Sequence, residues 1–331
     1  MKRALLILLA LAVLAALVLP NLLAPRLFER AVASRINADG VAALGPGLHV
    51  VLVGTGSPLP DASRAGPMTA VVADGRLIVF DAGDGATRAL GAQGLAPGRV
   101  EAVFLTHLHS DHIDGLGSLM TLRWAGRGAT EPLPVYGPAR TDTVVAGLTA
   151  AYQPDRAFRV AHHGADIVPP AGHGMSARVL APLEPVKLGA VTITPFSVDH
   201  APVDPAFGYV VEHVGRKVVI TGDATADMDL PDIAMSPDIL IAEALNRDMV
   251  RVMEQQADDP RIRTIAADIQ DYHMSPAEAA ALGERVGAGR TVLTHIVPAA
   301  PNRIARRLFM RGADGAELGA DGDVLSLPPT D

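Results

Sequence analysis

Thr106-His107-Leu108-His109-Ser110-Asp111-His112 follows an apolar run, Ala102 to Leu105, and leaves through Gly115. Four side chains of metal-ligand type fall within this short stretch. His107 and His109 are two apart, so in an extended chain they point to the same side. Asp111 and His112 are adjacent and diverge unless the backbone turns. A turn here, into a helix starting near Asp114, aims them at a second cation beside the first. The spacing therefore predicts a two-metal pocket at a strand end. The competing reading is a loop of ordinary surface histidines.

Further ligand-type residues obey one positional rule. Asp81 follows the apolar strand Leu77 to Phe80, and His200 comes soon after Val191 to Phe196. Asp223 follows Lys217 to Ile220, and His295 follows Thr291 to Leu293. Groups on such loops converge when their strands share a sheet. Asp74-Gly75 and Gly215-Arg216 predict hairpins. Ser275 predicts the N-cap of a helix over 276–286. Residues 153–185, rich in Gly, Pro and Ala, read as an irregular insertion suited to a lid or substrate wall. His162, His163 and His173 within it read as solvated loop residues. His49 and His213, inside strands, read as structural. Arg303, Arg306, Arg307 and Arg311 recur at helical spacing and read as a solvated helix face.

Composition narrows the class. With 49% hydrophobic residues the chain has enough apolar material for a core, which argues against wholesale disorder. There is no cysteine, so any metal is held by nitrogen and oxygen. The net charge of −8 argues against nucleic acid as a partner, though a local basic patch could hide within the total.

The N-terminus predicts a separate element. Lys2 and Arg3 precede an unbroken apolar run, Ala4 to Leu19, whose character continues to Ala24. Such a run is long enough to cross a bilayer as a helix. Residues 1–24 thus read as a membrane anchor or a signal segment, with a soluble core helix as the third option. Ala31-Val32-Ala33 has the form of a cleavage site but lies behind Arg26, Glu29 and Arg30. The basic head would keep the N-terminus inside. The expectation is therefore an exported or anchored protein whose domain lies outside the cytoplasm, periplasmic in a Gram-negative cell. Residues 25–47 read as a linker and 48–331 as the folded domain.

Asp81, the Thr106–His112 cluster, His200, Asp223 and His295, in that order, resemble the metallo-β-lactamase superfamily. Asp199-His200 with Phe207-Gly208-Tyr209 looks like its ribonuclease Z and arylsulfatase branch, as does Tyr272-His273-Met274-Ser275-Pro276. Gly54-Thr55-Gly56-Ser57-Pro58 with Arg64 fits the same branch. The resemblance implies an α/β fold, a four-layer αββα sandwich preceded here by the N-terminal apolar helix. It implies two zinc ions, manganese or iron being alternatives. His107, His109 and His200 would hold one, and Asp111, His112 and His295 the other, with Asp223 bridging. Asp81 would shape the loop behind them, and His273 would be an extra catalytic histidine. The branch also leaves room for a homodimer.

The expected chemistry is hydrolysis by a hydroxide shared between two metals, since metal binding lowers the pKa of water from about 15.7 towards 7. Asp111 would orient the nucleophile and take its proton, and His273 would protonate the leaving group. The leading expectation is an arylsulfatase-like hydrolase of small anionic sulfate or phosphate esters, with the membrane as a partner through the N-terminal segment. The alternative is a tRNA 3′-end endonuclease like ribonuclease Z. Against it stand the apolar N-terminus, the acidic balance and no evident long basic insertion between Asp223 and His295. A lactonase or β-lactamase comes third. A binding protein on an inactive hydrolase fold is the reading from a different class.

Overall fold

The computed structural model describes residues 2–36 and 38–330, with the side chains of 2–6 and 8–15 left aside. Contacts divide the chain into residues 1–40 and 41–331. The first unit holds a helix, Lys2–Ile36, with Pro20 and Pro25 inside it. The expected membrane anchor falls largely on side chains outside the described residues. Those described from Ala16 onward meet Pro20, Asn21, Pro25, Arg26 and Glu29. Among the described residues, no helix is long and apolar enough to cross a membrane. The expectation of a spanning segment therefore finds no support among the described residues.

Among the described residues, the second unit is built on fourteen strands. They are β1 Leu48–Gly54, β2 Met68–Ala73, β3 Arg76–Phe80, β4 Val100–Phe104, β5 Leu133–Gly137, β6 Met175–Val179 and β7 Val186–Leu188. Then come β8 Val191–His200, β9 Val203–His213, β10 Arg216–Ile220, β11 Ile239–Leu245, β12 Arg290–Val297, β13 Ala316–Leu318 and β14 Val324–Leu327. They form two sheets, ordered β14-β1-β2-β3-β4-β5-β6 and β13-β12-β11-β10-β9-β8-β7. The first half of the chain makes one sheet and the second half the other, with β14 returning to the first beside β1.

Strand sequences explain the layering. In β1, Val50 and Leu52 face the second sheet, packing in one core with Ile78, Phe104, Tyr209, Val218 and Ile241. Val51 and Val53 face the other way, towards Leu90, Leu116 and Leu119 of the covering helices. On the second sheet, Val219, Leu240 and Leu293 face Ala279, Leu282 and Val286 of the helix Pro276–Val286. Both faces of each sheet are covered, so the central strands read as continuous apolar runs rather than alternating ones. The result is the four-layer αββα sandwich.

Local signals hold where the physics is local. The β2–β3 turn puts Asp74 and Gly75 at φ 51° and 71°, and the β9–β10 turn puts Val214 and Gly215 at 45° and 74°. Both have the two left-handed central residues of a tight hairpin. Ser275 caps the helix Pro276–Val286, with Glu278 completing a reciprocal capping box.

The region 153–185 departs from expectation. It contains a helix, Gln153–His163, and the edge strand β6, paired parallel to β5. Its residues do not line the clefts that open on the histidine cluster. Glycine and proline there punctuate regular elements rather than replace them. His162 and His163 are exposed, as expected; His173 is buried, edge-on to Trp124 at 4.8 Å. His49 and His213 are buried, the first 2.9 Å from Ser326 Oγ and the second 3.2 Å from Asp74.

Candidate metal centre

Strand direction brings the ligand-type residues together. In the first sheet β3, β4 and β5 run parallel. In the second, β8 and β10 are each antiparallel to β9, and β10, β11 and β12 are mutually parallel. The C-terminal ends of β8, β10, β11 and β12 therefore reach one edge, and with them His200, Asp223, Glu243 and His295.

The loop after β4 is fixed by Asp81, which sits at φ 60° just past β3. Asp81 Oδ1 accepts from the Thr106 amide at 2.8 Å. Its Oδ2 accepts from Thr106 Oγ1 and from His112 Nδ1, each at 2.9 Å. This is the loop-shaping role expected of it. The carboxylate also sets the His112 tautomer, so that Nε2 faces the centre. Behind, the Ala82 amide donates to the His112 carbonyl at 2.8 Å, and the Gly115 amide to the Ala82 carbonyl at 2.7 Å. A Cβ on Gly83 would lie 2.4 Å from the Asp111 carbonyl, so the chains touch only because glycine stands there. Two bonds tie this loop to the other sheet: the Phe207 amide donates to Thr106 O at 2.8 Å, and the Tyr209 hydroxyl to Leu105 O at 2.6 Å.

On the second sheet, irregular backbone aims the candidate ligands. The β8–β9 register shifts between Val198 and His200, and the β11–β12 register skips His295, which adopts φ 47°. A bulge of this kind re-aims a side chain at a strand end. His200 Nδ1 donates to the Tyr272 carbonyl at 3.0 Å, leaving Nε2 for the centre.

Asp223 Oδ2 is the hub. It lies 3.3 Å from His295 Nε2, 3.4 Å from His112 Nε2, 3.9 Å from His107 Nε2 and 4.0 Å from His200 Nε2. Asp111 Oδ2 lies 3.2 Å from His295 Nε2 and 3.5 Å from His112 Nε2. His107 Nε2 and His109 Nδ1 are 3.0 Å apart. Two tetrahedral ligand atoms, each at about 2.1 Å from zinc, stand about 3.4 Å apart. His107, His109 and His200 form one compact donor set, and Asp111, His112 and His295 another. His112 Nε2, His200 Nε2 and Asp223 Oδ1 are buried without a hydrogen-bond partner. Buried polar atoms are normally satisfied, and this group of orphans faces the space a cation would fill. The donor set fits metal.

Charge points the same way. Burial, reinforced by the neighbouring His112, holds His107 well below the usual imidazole range. Burial lowers His200 to about 4. Both are therefore neutral, as a ligand must be. Burial opposes the Asp223 charge, but His295 and His112 outweigh it and hold the carboxyl well below its ordinary range.

One functional candidate was missed at the sequence level. Glu243, at the end of β11 and 1% exposed, accepts from His273 Nδ1 at 2.9 Å and from the Met274 amide at 3.1 Å. Burial pulls the His273 pKa down, but the Glu243 charge and hydrogen bond outweigh it and raise it to about 9. His273 therefore carries a proton at neutral pH. The strand-end rule that singled out Asp223 picks out Glu243 equally well; in the sequence it passed for one carboxylate in an acidic stretch. That stretch also hides two helices, Arg247–Gln256 and Pro260–Asp268.

Comparison with known proteins agrees with this geometry. A β-lactamase superfamily domain model matches residues 76–296. The chain belongs to the metallo-β-lactamase superfamily. A ribonuclease Z of Mycolicibacterium gilvum (strain PYR-GCK) is 38% identical over 255 residues, covering 76% of this chain and 85% of the relative. A ribonuclease Z of Mycobacterium bovis (strain BCG / Pasteur 1173P2) is 38% identical over 254 residues, covering 76% and 87%. Among solved structures, human tRNase Z, short form, superposes with a TM-score of 0.59 at 23% identity, covering 85% of this chain and 99% of that one. The metallo-β-lactamase fold protein YhfI of Bacillus subtilis gives 0.60 at 20% identity, covering 84% and 99%. These two likenesses bear on the fold. The superfamily chain is a metal-dependent hydrolase acting on ester bonds, in the ribonuclease Z branch.

The relatives overturn two expectations. Nucleic acid had been argued against as a partner, in favour of a small anionic ester and a membrane; relatives that are ribonucleases reverse that order. Net charge is a sum over the whole chain and does not report the field at one cleft. The expectation of an exported or membrane-anchored enzyme is likewise withdrawn. The relatives are ribonucleases acting on RNA, and no described helix is long and apolar enough to cross a membrane.

Proposed function

We propose that this chain is a two-metal phosphodiesterase of RNA, trimming the 3′ end of tRNA precursors in the manner of ribonuclease Z. The observation that carries the reading is the 38% identity to a ribonuclease Z along 85% of that relative's length. The donor geometry supports it: seven side chains converge on one edge, with Asp223 between the two sets. We assign His107, His109 and His200 to one zinc and Asp111, His112 and His295 to the other, in a hydrolase domain spanning 48–331.

Two bound divalent metals would supply an activated nucleophile at neutral pH and positive charge for the reacting phosphate. The chain's own groups do the rest. Asp111, whose carboxyl the hydrogen bond from His295 holds in its ionised form against the effect of burial, orients the attacking water and takes its proton. Asp81 and the Tyr272 carbonyl lock the His112 and His200 rings. Glu243 keeps His273 protonated and aimed, so that it donates to the leaving oxygen.

A precursor tRNA carrying a 3′ trailer tests the reading, with bis(p-nitrophenyl) phosphate and p-nitrophenyl sulfate alongside. The expected result is one cut near the mature 3′ end, lost in folded Asp111→Ala. Steady hydrolysis of the sulfate ester with no RNA cleavage would sink it.

A further inference from the structure

The cleft that opens on the histidines, about 330 Å³ in volume, is lined by two unlike sets of residues. One holds Asp111, Asp223, His273 and His295. The other is apolar, with Leu59, Ile265, Ile269 and Tyr272. That second set is backed: Leu59 and Ile269 pack on a separate small core of Leu245, Val250, Ala266 and Val297. Ile265, on the helix Pro260–Asp268, is 60% exposed beside them. The Tyr272 ring stands edge-on to His200 at 5.1 Å and tilted against His273 at 4.8 Å. Its position is thereby set, yet its hydroxyl has no hydrogen-bond partner among the described residues. A second cleft, about 640 Å³, shares Pro58, Leu59, Ser110 and Asp111 but is otherwise lined by Asp61, Arg64, Asp84 and Asp114.

A phosphodiester seated over the two donor sets, with both metals bound, would have two ester arms, and these surroundings sort them. The larger cleft carries no aromatic ring, and its carboxylates of Asp84 and Asp114 disfavour an anion. The apolar lining beside His200 and His273 offers an aromatic ring, two isoleucines and a dry backing. We infer that Tyr272, with Ile265, forms a subsite for the nucleobase next to the scissile phosphate. The base lies against the Tyr272 ring while Ile265 covers its edge. The inference rests on the phosphodiesterase reading and specifies which group flanks the reacting bond. Base–aromatic stacking tolerates any base and strengthens binding by roughly tenfold to a hundredfold. The subsite therefore adds affinity for nucleotides in general rather than for one sequence.

Calorimetric titration of the metal-loaded protein with adenosine 5′-monophosphate and with methyl phosphate tests this without turnover. The wild type should bind the nucleotide at least about tenfold more tightly than methyl phosphate. Tyr272→Ala should abolish that advantage, Tyr272→Phe keep it, and Ile265→Ala reduce it. Methyl phosphate affinity reports whether the metal centre is intact. If Tyr272→Ala weakens methyl phosphate too, because the ring packs on His200, Ile265→Ala decides: an unchanged advantage there overturns the subsite. Equal affinity of the wild type for both ligands also overturns it. A retained nucleotide preference with no cut in precursor tRNA would refute the proposed reaction and leave the subsite standing.

Discussion

The two halves of the candidate metal centre are built differently. On the first sheet, four ligand-type side chains come from one loop, and Asp81, Ala82 and Gly115 brace it within a few ångströms. On the second, His200, Asp223, Glu243 and His295 come from four strands and meet only because those strands point the same way. The first half is set by local hydrogen bonds. The second depends on sheet register and on two bulges. Asp223 belongs to the scattered half, yet its Oδ2 reaches His107 and His112 of the compact one. The halves thus differ in how they are held and share one oxygen.

Removing that oxygen should have the largest effect. Asp223→Ala is expected to lower metal content from about two per chain and reduce phosphodiester hydrolysis by about a thousandfold or more. Elemental analysis and initial rates check it; two metals retained with normal turnover would mean the halves are independent. His273→Ala touches the scattered half without removing an assigned ligand. It should keep both metals and lose roughly 10²–10⁴ in rate on alkoxide leaving groups, with a smaller loss on p-nitrophenyl esters, whose leaving group needs no proton. Equal losses on the two would count against a proton-donor role.

In the compact half, Asp81→Asn should weaken metal binding by about 10–100-fold, because His112 loses the acceptor that fixes its tautomer. Competition with a chelator measures it. The smallest effect is expected far from the ligands. Glu278→Ala removes the capping box below His273, costing about 1 kcal/mol. Burial raises the Glu278 pKa, but the Ser275 amide and Arg247 outweigh it and hold it below 4.5 in the fold. The carboxylate therefore stabilises above its unfolded pKa and loses that contribution as pH falls through the lowered folded value. The Tm gap between wild type and variant should close on acidification; a gap that widened would contradict the assignment.

Legibility followed the range of the forces. The histidine cluster was readable because its four side chains need only one turn to converge. The hairpin at Asp74-Gly75 and the Ser275 cap were readable for the same reason, as was the second hairpin, expected at Gly215-Arg216 and turning one residue earlier at Val214-Gly215. Glu243 was not, since nothing near it in the chain marks its partner, His273. The region 153–185 misled because its glycines and prolines interrupt a helix and an edge strand whose pairing with β5 is a non-local fact. The acidic total misled about the partner because it averages over surfaces far from the cleft.

By itself the sequence determined which side chains were available for metal chemistry, that nitrogen and oxygen alone would hold it, and that apolar runs end where ligands begin. Side-chain type and short-range turn geometry are written residue by residue, so they survive without a fold. Only the tertiary structure decided that Asp223 faces both donor sets, that Glu243 backs His273, and that Tyr272 and Ile265 line the cleft beside the donor sets. Those relations join strands and helices far apart in the chain, and their distances exist only once the two sheets have packed.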